Sequence, residues 1–427
     1  MSARDTSSTD STAGPTAEAD TAASLAAATA PLSRRRLLAS AVLGGALGAW
    51  STLSFAGAAG TGGNRFVLVI LRGGMDGLGA APAIGDPDFA AARGPLARYG
   101  AATLPLDATI ALHPNLVELH AMYGRGEAAL VHAVGLAYRE RSHFDAQQLL
   151  ESGGTRPYEL ATGWLGRALG ASSSKGMALN TAVPLVLRSR AVVDTWAPSL
   201  LPEPSADLVA RLERMYVSDP ALATALERAR NLHLDSPLPD AAPMDSVMTP
   251  AGTRPGTFVV LARRAAEFIA QPNGPQAAVL ELGGWDTHAN QANPNGALAN
   301  SLRQLDAGLA ALRAGLLASD TWARTVVVVA SEFGREVAVN GTLGTDHGTG
   351  GVAFVLGGAV RGGRVVADWP GLARSNRFEG RDLKATTDLR SLLKGVLGDH
   401  LQVASRTLES EVFPNSRAVK PLNLLRG

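Results

Sequence analysis

Five short stretches of this sequence set carboxylates beside histidine, serine or arginine in glycine-rich surroundings. RGGMDGL carries Asp76, and RSHFDAQ carries Arg141, Ser142, His143 and Asp145. GGWDTH carries Asp286 and His288, SEFGRE carries Ser331, Glu332 and Arg335, and GTDHGTGG carries Asp346 and His347. The chain has eight histidines and no cysteine, so any metal must be held by imidazole and oxygen. That donor set suits zinc, manganese, magnesium or calcium. The missing thiol also excludes disulfides, iron–sulfur clusters and a cysteine nucleophile. Glycines around each cluster let the backbone turn sharply and approach a ligand closely. The chemistry these residues permit is metal-assisted handling of an anion.

Each residue also has a plainer reading. Asp76, after a glycine pair, is placed to cap a following helix. Asp286 and His288 are two apart, so they face one ion from a loop and share one face in a strand; His288 alone reads equally as a surface residue. Glu332 has Arg335 three residues on as a structural ion-pair partner. His347, between Asp346 and a glycine, is hard to explain as core packing. His113 and His132 read as structural histidines, and His120, His233 and His400 as surface residues. Ser142 is placed to N-cap a helix. The same position sets its hydroxyl beside free backbone N–H groups, where a phosphate or sulfate would dock. A metal nearby would make that hydroxyl a nucleophile, with Arg139 and Arg141 as anion clamps.

The elements that must position these residues are legible as alternating apolar runs and helical patterns. RFVLVILRGG at 65–74 is a continuous apolar run ending in glycines, as a strand buried on both faces requires. Similar runs lie at 128–134, 183–188, 277–282, 325–330 and 352–357, with helical patterns at 114–124, 142–152, 256–270, 297–317 and 387–398. This alternation predicts an α/β fold with a mostly parallel central sheet and helices on both faces. Ligands of such sheets bind beyond the carboxyl ends of the strands. Four of the clusters follow an apolar run, and GTDHGTGG precedes one. The Pro-rich stretch 190–255, with helical patterns near 204–216 and 219–232, predicts an inserted helical cap.

The first 63 residues read as an address. Residues 1–33 carry almost no large apolar side chains and predict a disordered tail. Ser33-Arg34-Arg35-Arg36-Leu37-Leu38 then opens a weakly apolar Ala/Gly stretch ending in Ala56-Gly57-Ala58. That layout at 34–58 matches a twin-arginine export signal cleaved after Ala58. It predicts a periplasmic or secreted protein whose partner is the twin-arginine export machinery. The uncharged span 37–64 is long enough for a bilayer, so membrane contact is expected only through an uncleaved signal. Residues 64–427 form the α/β domain. With 39 Lys+Arg against 38 Asp+Glu, a net charge of +1 argues against nucleic acid as a partner.

The order RGGMDGL, LHPNL, RSHFDAQ, GGWDTH, SEFGR, TDHGTGG and TTDLR resembles a large secreted bacterial family catalogued as a domain of unknown function. That family is grouped with the alkaline phosphatase-like superfamily of phosphatases, sulfatases, phosphodiesterases and phosphoglycerate mutases. The likeness runs from about Arg65 to Arg390. It implies a site of one or two divalent metal ions around a nucleophile at a helix N-terminus. By position Ser142 resembles that nucleophile, and Asp76 the carboxylate bridging toward the nucleophile-side metal. Asp286 and His288 resemble the next metal pair, Glu332 a later carboxylate, and His347 the late histidine. The superfamily usually has Asp-His where this chain has Glu332-Phe333, and the resemblance leaves His143 or Asp346 to fill that gap. Lacking cysteine, the chain has no route to a cysteine-derived formylglycine. The expectation is an exported metal-dependent hydrolase of an anionic phosphate or sulfate ester, with Ser142, His143 and Arg141 as catalytic residues. The alternative is a non-catalytic exported protein that binds a metal or an anion in a degenerate site.

Overall fold

RFVLVIL forms β1 (Arg65–Leu71), with all seven residues buried. The computed structural model describes residues 63–198, 204–234 and 256–426. The expected tail, the export signal with its Ala58 site, and residues 235–255 lie outside the described residues, as does the side chain of His233. Among the described residues no helix is long and apolar enough to cross a membrane.

A short antiparallel pair, β2 (Leu104–Pro105) and β3 (Ala111–Leu112), follows β1. Then come β4 (Ala128–Gly135), β5 (Lys175–Ala178), β6 (Val192–Thr195), β7 (Ala277–Leu282), β8 (Thr325–Ser331), β9 (Gly351–Leu356), β10 (Arg364–Val366) and β11 (Thr387–Asp388). Nine of them make one sheet in the order β10-β4-β9-β8-β1-β7-β5-β6, with β11 beside β4. All pairs in it are parallel except those of β9, which runs antiparallel to β4 and β8. The fold is therefore α/β with a mostly parallel sheet.

Alternate residues of β1 face opposite layers, as strand geometry requires. Val67, Val69 and Leu71 pack with the helices Val117–Gly124, Thr257–Ala270 and Ala297–Ala318. Phe66, Leu68 and Ile70 pack with Trp164–Ala171 and Leu389–Asp399. Truncating one such side chain to alanine costs about 2–5 kcal/mol, so the strand ends that carry the polar clusters stand on a stiff platform.

Three details differ from the sequence expectation. The run 183–188 is a 3-10 turn at Leu185–Leu187 and not a strand. Pro184 cannot donate to a ladder, and the neighbouring strand positions fall to the short, less apolar β5 and β6. Val192–Thr195 is thus the sheet's edge, so only the chain beyond Thr195 can form the expected insertion; the helices Ala206–Tyr216 and Pro220–Leu234 lie there. His400, expected at the surface, is 3% exposed, and its Nε2 lies 2.9 Å from the Arg65 carbonyl.

His132 and His113 are structural, and they make stability depend on pH. His132 is fully buried, with Nε2 2.8 Å from the Ala81 carbonyl and Nδ1 accepting from Ala133 N at 2.8 Å. Burial pushes both imidazoles down to about 4. Below pH 6.5 the unfolded chain takes up protons that the folded chain refuses, so stability falls as pH drops from 6.5 toward 4. Each histidine should remove about 2 kcal/mol between pH 7 and pH 5. Urea unfolding at those two pH values checks this. His132→Gln should flatten the profile, and an unchanged slope in that variant would sink the assignment.

Candidate metal centre

Because β1, β4, β7 and β8 run the same way, their carboxyl ends share one edge of the sheet. β9 runs oppositely, so the segment that precedes it arrives at that same edge. All five polar clusters meet there. The loops interlock through Gly73 N on Glu332 Oε1 at 2.9 Å, Met75 N on Ser331 Oγ at 2.9 Å, Glu336 N on the Asp346 carbonyl at 2.9 Å and Gly348 N on the Gly334 carbonyl at 2.9 Å. Gly73 has φ +123°, and a Cβ there would stand 2.7 Å from Asp286 N. Only glycine lets these two loops touch.

Three imidazoles converge at this edge, each tied from behind. His143 Nδ1 faces Glu332 Oε1 at 2.9 Å, His288 Nδ1 faces Asp346 Oδ1 at 3.1 Å, and His347 Nδ1 faces the Arg141 carbonyl at 3.0 Å. All three partners are acceptors, so each Nδ1 carries the hydrogen and, in the neutral ring, each Nε2 presents a lone pair. Those Nε2 atoms point at one another. His347 Nε2 lies 3.0 Å from His143 Nε2 and 3.0 Å from His288 Nε2. Asp286 Oδ1 lies 3.4, 2.9 and 3.2 Å from Nε2 of His143, His288 and His347.

Two adjoining triangles therefore share the Asp286–His347 edge, one closed by His143 and the other by His288. Ligand bonds of 2.0–2.2 Å in a tetrahedral site imply ligand-to-ligand spacings of about 3.3–3.6 Å, a little wider than the 2.9–3.4 Å seen. Three lone pairs and a carboxylate facing inward repel one another; Arg335 relieves part of this, pairing with Asp286 and lying 3.4 Å from His288 Nε2, and a divalent ion would relieve the rest. Imidazoles oriented from behind by carboxylate or carbonyl are how proteins present histidine to a metal. The donor set fits a divalent ion held by His143, Asp286 and His347, with His288 beside them.

The electrostatics agree. Glu332 is 1% exposed; burial raises its carboxyl, but hydrogen bonds from His143 and Gln147 outweigh that and hold it below its ordinary value. Its bond to Glu332 raises His143 against the opposing effect of burial. Burial, then the neighbouring His143, lower His347. Burial likewise works to raise Asp286, and Arg335 more than offsets it. Asp346 is held low first by Asn340 and then by His288, against burial.

Several expected residues occupy other roles. Glu332 accepts from Gly73 N, His143, Gln147 and Ser331 Oγ, each at 2.9 Å, so it orients a histidine instead of facing the cluster. It does not pair with Arg335. Asp346 likewise stands behind His288. Asp76 is 1% exposed, caps its own short helix through Leu78 N, and is paired with Arg93 and Gln291, so its carboxylate is taken by partners other than the histidines. Arg141 sends its guanidinium to Asp382 at 2.8 Å and to Glu379; what it contributes to the centre is its carbonyl, aimed by a left-handed φ of 59°. Ser142 occupies the N-cap of the His143–Ser152 helix, yet its side chain makes no capping bond.

Arg335 is the residue the sequence reading undervalued. It is 1% exposed and donates to the carbonyls of Gly74, Thr345, Gly73 and Trp285 at 2.8–3.2 Å and to the Asp286 carboxylate. One guanidinium thus ties three loops and fixes the acidic donor. Its place after β8 was a signal; its partners were not readable from spacing.

Glu332→Gln keeps the shape and removes the charge behind His143. Metal affinity should fall about 10–100-fold, read by competition with a chromophoric chelator. An affinity within twofold of the unmodified protein would refute the orienting role.

A family model described as "Protein of unknown function (DUF1501)" matches residues 106–411. No curated protein sequence matches the chain. Among solved structures, the chain is similar to a sulfatase from Pseudoalteromonas sp., at 12% identity and a TM-score of 0.39 over 71% of this chain and 64% of that one. It spans less than two thirds of that sulfatase's length. It is also similar to the C-terminal periplasmic domain of EptC from Escherichia coli in complex with zinc, at 11% identity and a TM-score of 0.32 over 70% of this chain and 74% of that one. A third is a phosphonate monoester hydrolase of Agrobacterium radiobacter, at 12% identity and a TM-score of 0.38 over 80% and 74%.

Proposed function

We propose that this chain, which belongs to the family described as Protein of unknown function (DUF1501), is an exported divalent-metal-dependent hydrolase of phosphate or sulfate esters. The observation that carries the reading is the set of three imidazoles, each tied at Nδ1, whose Nε2 atoms converge with Asp286 Oδ1. Among zinc, manganese, magnesium and calcium, an imidazole-rich donor set favours zinc, since the other three suit oxygen ligands. A bound divalent ion would supply Lewis-acid polarisation of the ester oxygens and a field that favours the ionised form of a nearby hydroxyl.

The chain's own residues then divide the work. His143, His347 and Asp286 would hold the ion, with His288 adjoining. Glu332, Asp346 and the Arg141 carbonyl keep the rings oriented, and Arg335 keeps Asp286 in place. Ser142, next to His143 and free of a capping bond, is the proposed nucleophile. Its Oγ forms a bond to phosphorus or sulfur, its proton leaves to solvent, and the bond to the alcohol breaks as that oxygen takes up a proton. Water then hydrolyses the serine ester. Export by the twin-arginine machinery to the periplasm or beyond rests on SRRRLLASAVLGGALGAW, with membrane contact only through an uncleaved signal.

A second reading has its own support. Asp76 is neutralised by Arg93 and Arg141 is spent on Asp382 and Glu379, as in a site that kept its metal donors and lost its substrate clamps. Such a protein would bind a metal or an anion without turnover. Metal analysis of purified protein, followed by a screen of phosphomono-, phosphodi- and sulfate esters across several metals, separates the two. About one equivalent of metal with turnover supports the hydrolase. Metal and phosphate binding with no turnover on any ester supports the binder.

A further inference from the structure

The most exposed large apolar side chain among the described residues is Phe144, at 82%. It directly follows His143, whose Nε2 faces the cluster, and lies in the first turn of the helix His143–Ser152. Cα–Cβ bonds in a helix tilt toward the N-terminus, so Phe144 leans back toward the end that carries Ser142 and the Arg141 carbonyl. Tyr158, 69% exposed, is the other exposed aromatic side chain among the described residues. Its backbone N donates to Gln148 Oε1 at 2.9 Å, and Gln148 stands one turn beyond Phe144 on the same helix face.

A third apolar side chain, Leu343, is 51% exposed, and its loop is fastened to the segment that carries His288. Asn340 Nδ2 and Thr342 Oγ1 donate to the His288 carbonyl, Gln291 N donates to the Leu343 carbonyl at 2.8 Å, and Leu343 forms a bridge with Ala289. Phe144 therefore adjoins the ligand that closes one triangle of the centre, and Leu343 the ligand that closes the other. Tyr158 and Leu343 are disfavoured twice. Their φ angles of 61° and 60° are uncommon for bulky residues, and each also holds an apolar side chain in water. Asparagine at either position would remove both disadvantages. Such strain concentrates where ligands bind. Singly exposed apolar residues are ordinary, but three around one polar centre are not a scatter.

The side chains of Asp286, His288 and Asp346 are each nearly half exposed, so the centre opens to solvent and a ligand headed there continues over its rim. We infer, resting on the hydrolase reading for the anionic head, that Phe144, Tyr158 and Leu343 receive the organic part of the substrate, so that the ester carries an apolar, ring-bearing body. A few convergent polar groups among apolar walls are how proteins bind small ligands. Two aromatic faces and a leucine accept a ring by stacking and dispersion. Phe144 and Leu343 offer no hydrogen bond, so a body rich in hydroxyls gains little there.

Phenylphosphonate and methylphosphonate share an anionic head, differ in the apolar body and hold no ester to cleave. Their binding to the zinc-loaded full chain, read by isothermal titration calorimetry, is the test. Phenylphosphonate should bind at least about tenfold more tightly, as covering one face of a ring would give. In the triple variant Phe144→Ala/Tyr158→Asn/Leu343→Asn that preference should fall below about twofold, with methylphosphonate affinity, metal content and circular dichroism unchanged. A control that trims three exposed apolar residues elsewhere, Met215→Ala/Val217→Ala/Leu222→Ala, should keep the preference. Equal binding of the two probes by the unmodified protein, a preference that survives in the triple variant, or an equal loss in the control overturns the apolar rim. Binding of neither probe overturns it together with the anion site at the metal. A phenyl preference without turnover on any ester leaves the rim standing and sinks the hydrolase reading alone.

Discussion

His347→Ala should empty the metal centre. The His347 Nε2 atom is a corner of both ligand triangles, 3.0 Å from His143, 3.0 Å from His288 and 3.2 Å from Asp286. Without it, His143 and His288 each keep a single close partner in the cluster, Asp286 Oδ1. Removing an orienting partner costs a metal site about 10–100-fold in affinity, and removing a ligand outright should exceed about 100-fold. The ring is half-buried and lies among glycines, so the deletion opens the site to water without emptying the core. Two measurements check it. Purified variant should carry less than a tenth of the metal found in the unmodified protein. A chelator should lower the melting temperature of the unmodified protein, since a bound ligand stabilises the folded state, and leave the variant unmoved. A full equivalent of metal in His347→Ala would dismantle the three-histidine centre.

Ser142→Ala should abolish turnover and leave nearly everything else alone. Loss of a serine nucleophile elsewhere costs up to about 10⁶ in kcat, and a drop of at least about 10⁴ is expected here. A serine that caps a helix costs about 0.5–2 kcal/mol when replaced by alanine. Ser142 makes no such bond, so urea unfolding should shift by less than that range while metal content stays constant. The pairing of outcomes carries the weight. Lost turnover with intact stability and metal marks a reacting group, whereas lost stability with retained turnover marks a cap and removes Ser142 from the chemistry. Tyr138, whose hydroxyl bonds to Asp145 at 3.0 Å, is raised first by burial and then by that bond, with Ser142 pulling the other way. It is the neighbour through which a serine substitution could be felt.

Much of the scaffold was readable because strands and helices announce themselves locally. The runs at 65–71, 128–134, 277–282, 325–330 and 352–356 are strands, and the helices at 143–152, 257–270 and 297–318 lie where the apolar period placed them. The failures were equally physical. A short strand containing glycine, such as Lys175–Ala178, has too few apolar residues to stand out, while VPLVLR looked like a strand and was bent by Pro184. Residue roles fared unevenly for the same reason. Asp76 and Glu332 sit at strand ends as a metal ligand would, but each is claimed by a distant partner, Arg93 for one and His143 for the other.

By itself the sequence determined the donor chemistry: no cysteine, histidines and aspartates in glycine-rich turns, and strands apolar enough to be buried on both faces. The convergence of those donors was decided by tertiary structure alone. His347 precedes its strand and would lie at the wrong end of a parallel sheet; it reaches the site because β9 runs antiparallel between β4 and β8. Whether a carboxylate faces the cluster or stands behind a ring depends on pairings such as His143 with Glu332, 189 residues apart. Such pairings follow from strand order and crossover geometry, which no local pattern of residues encodes.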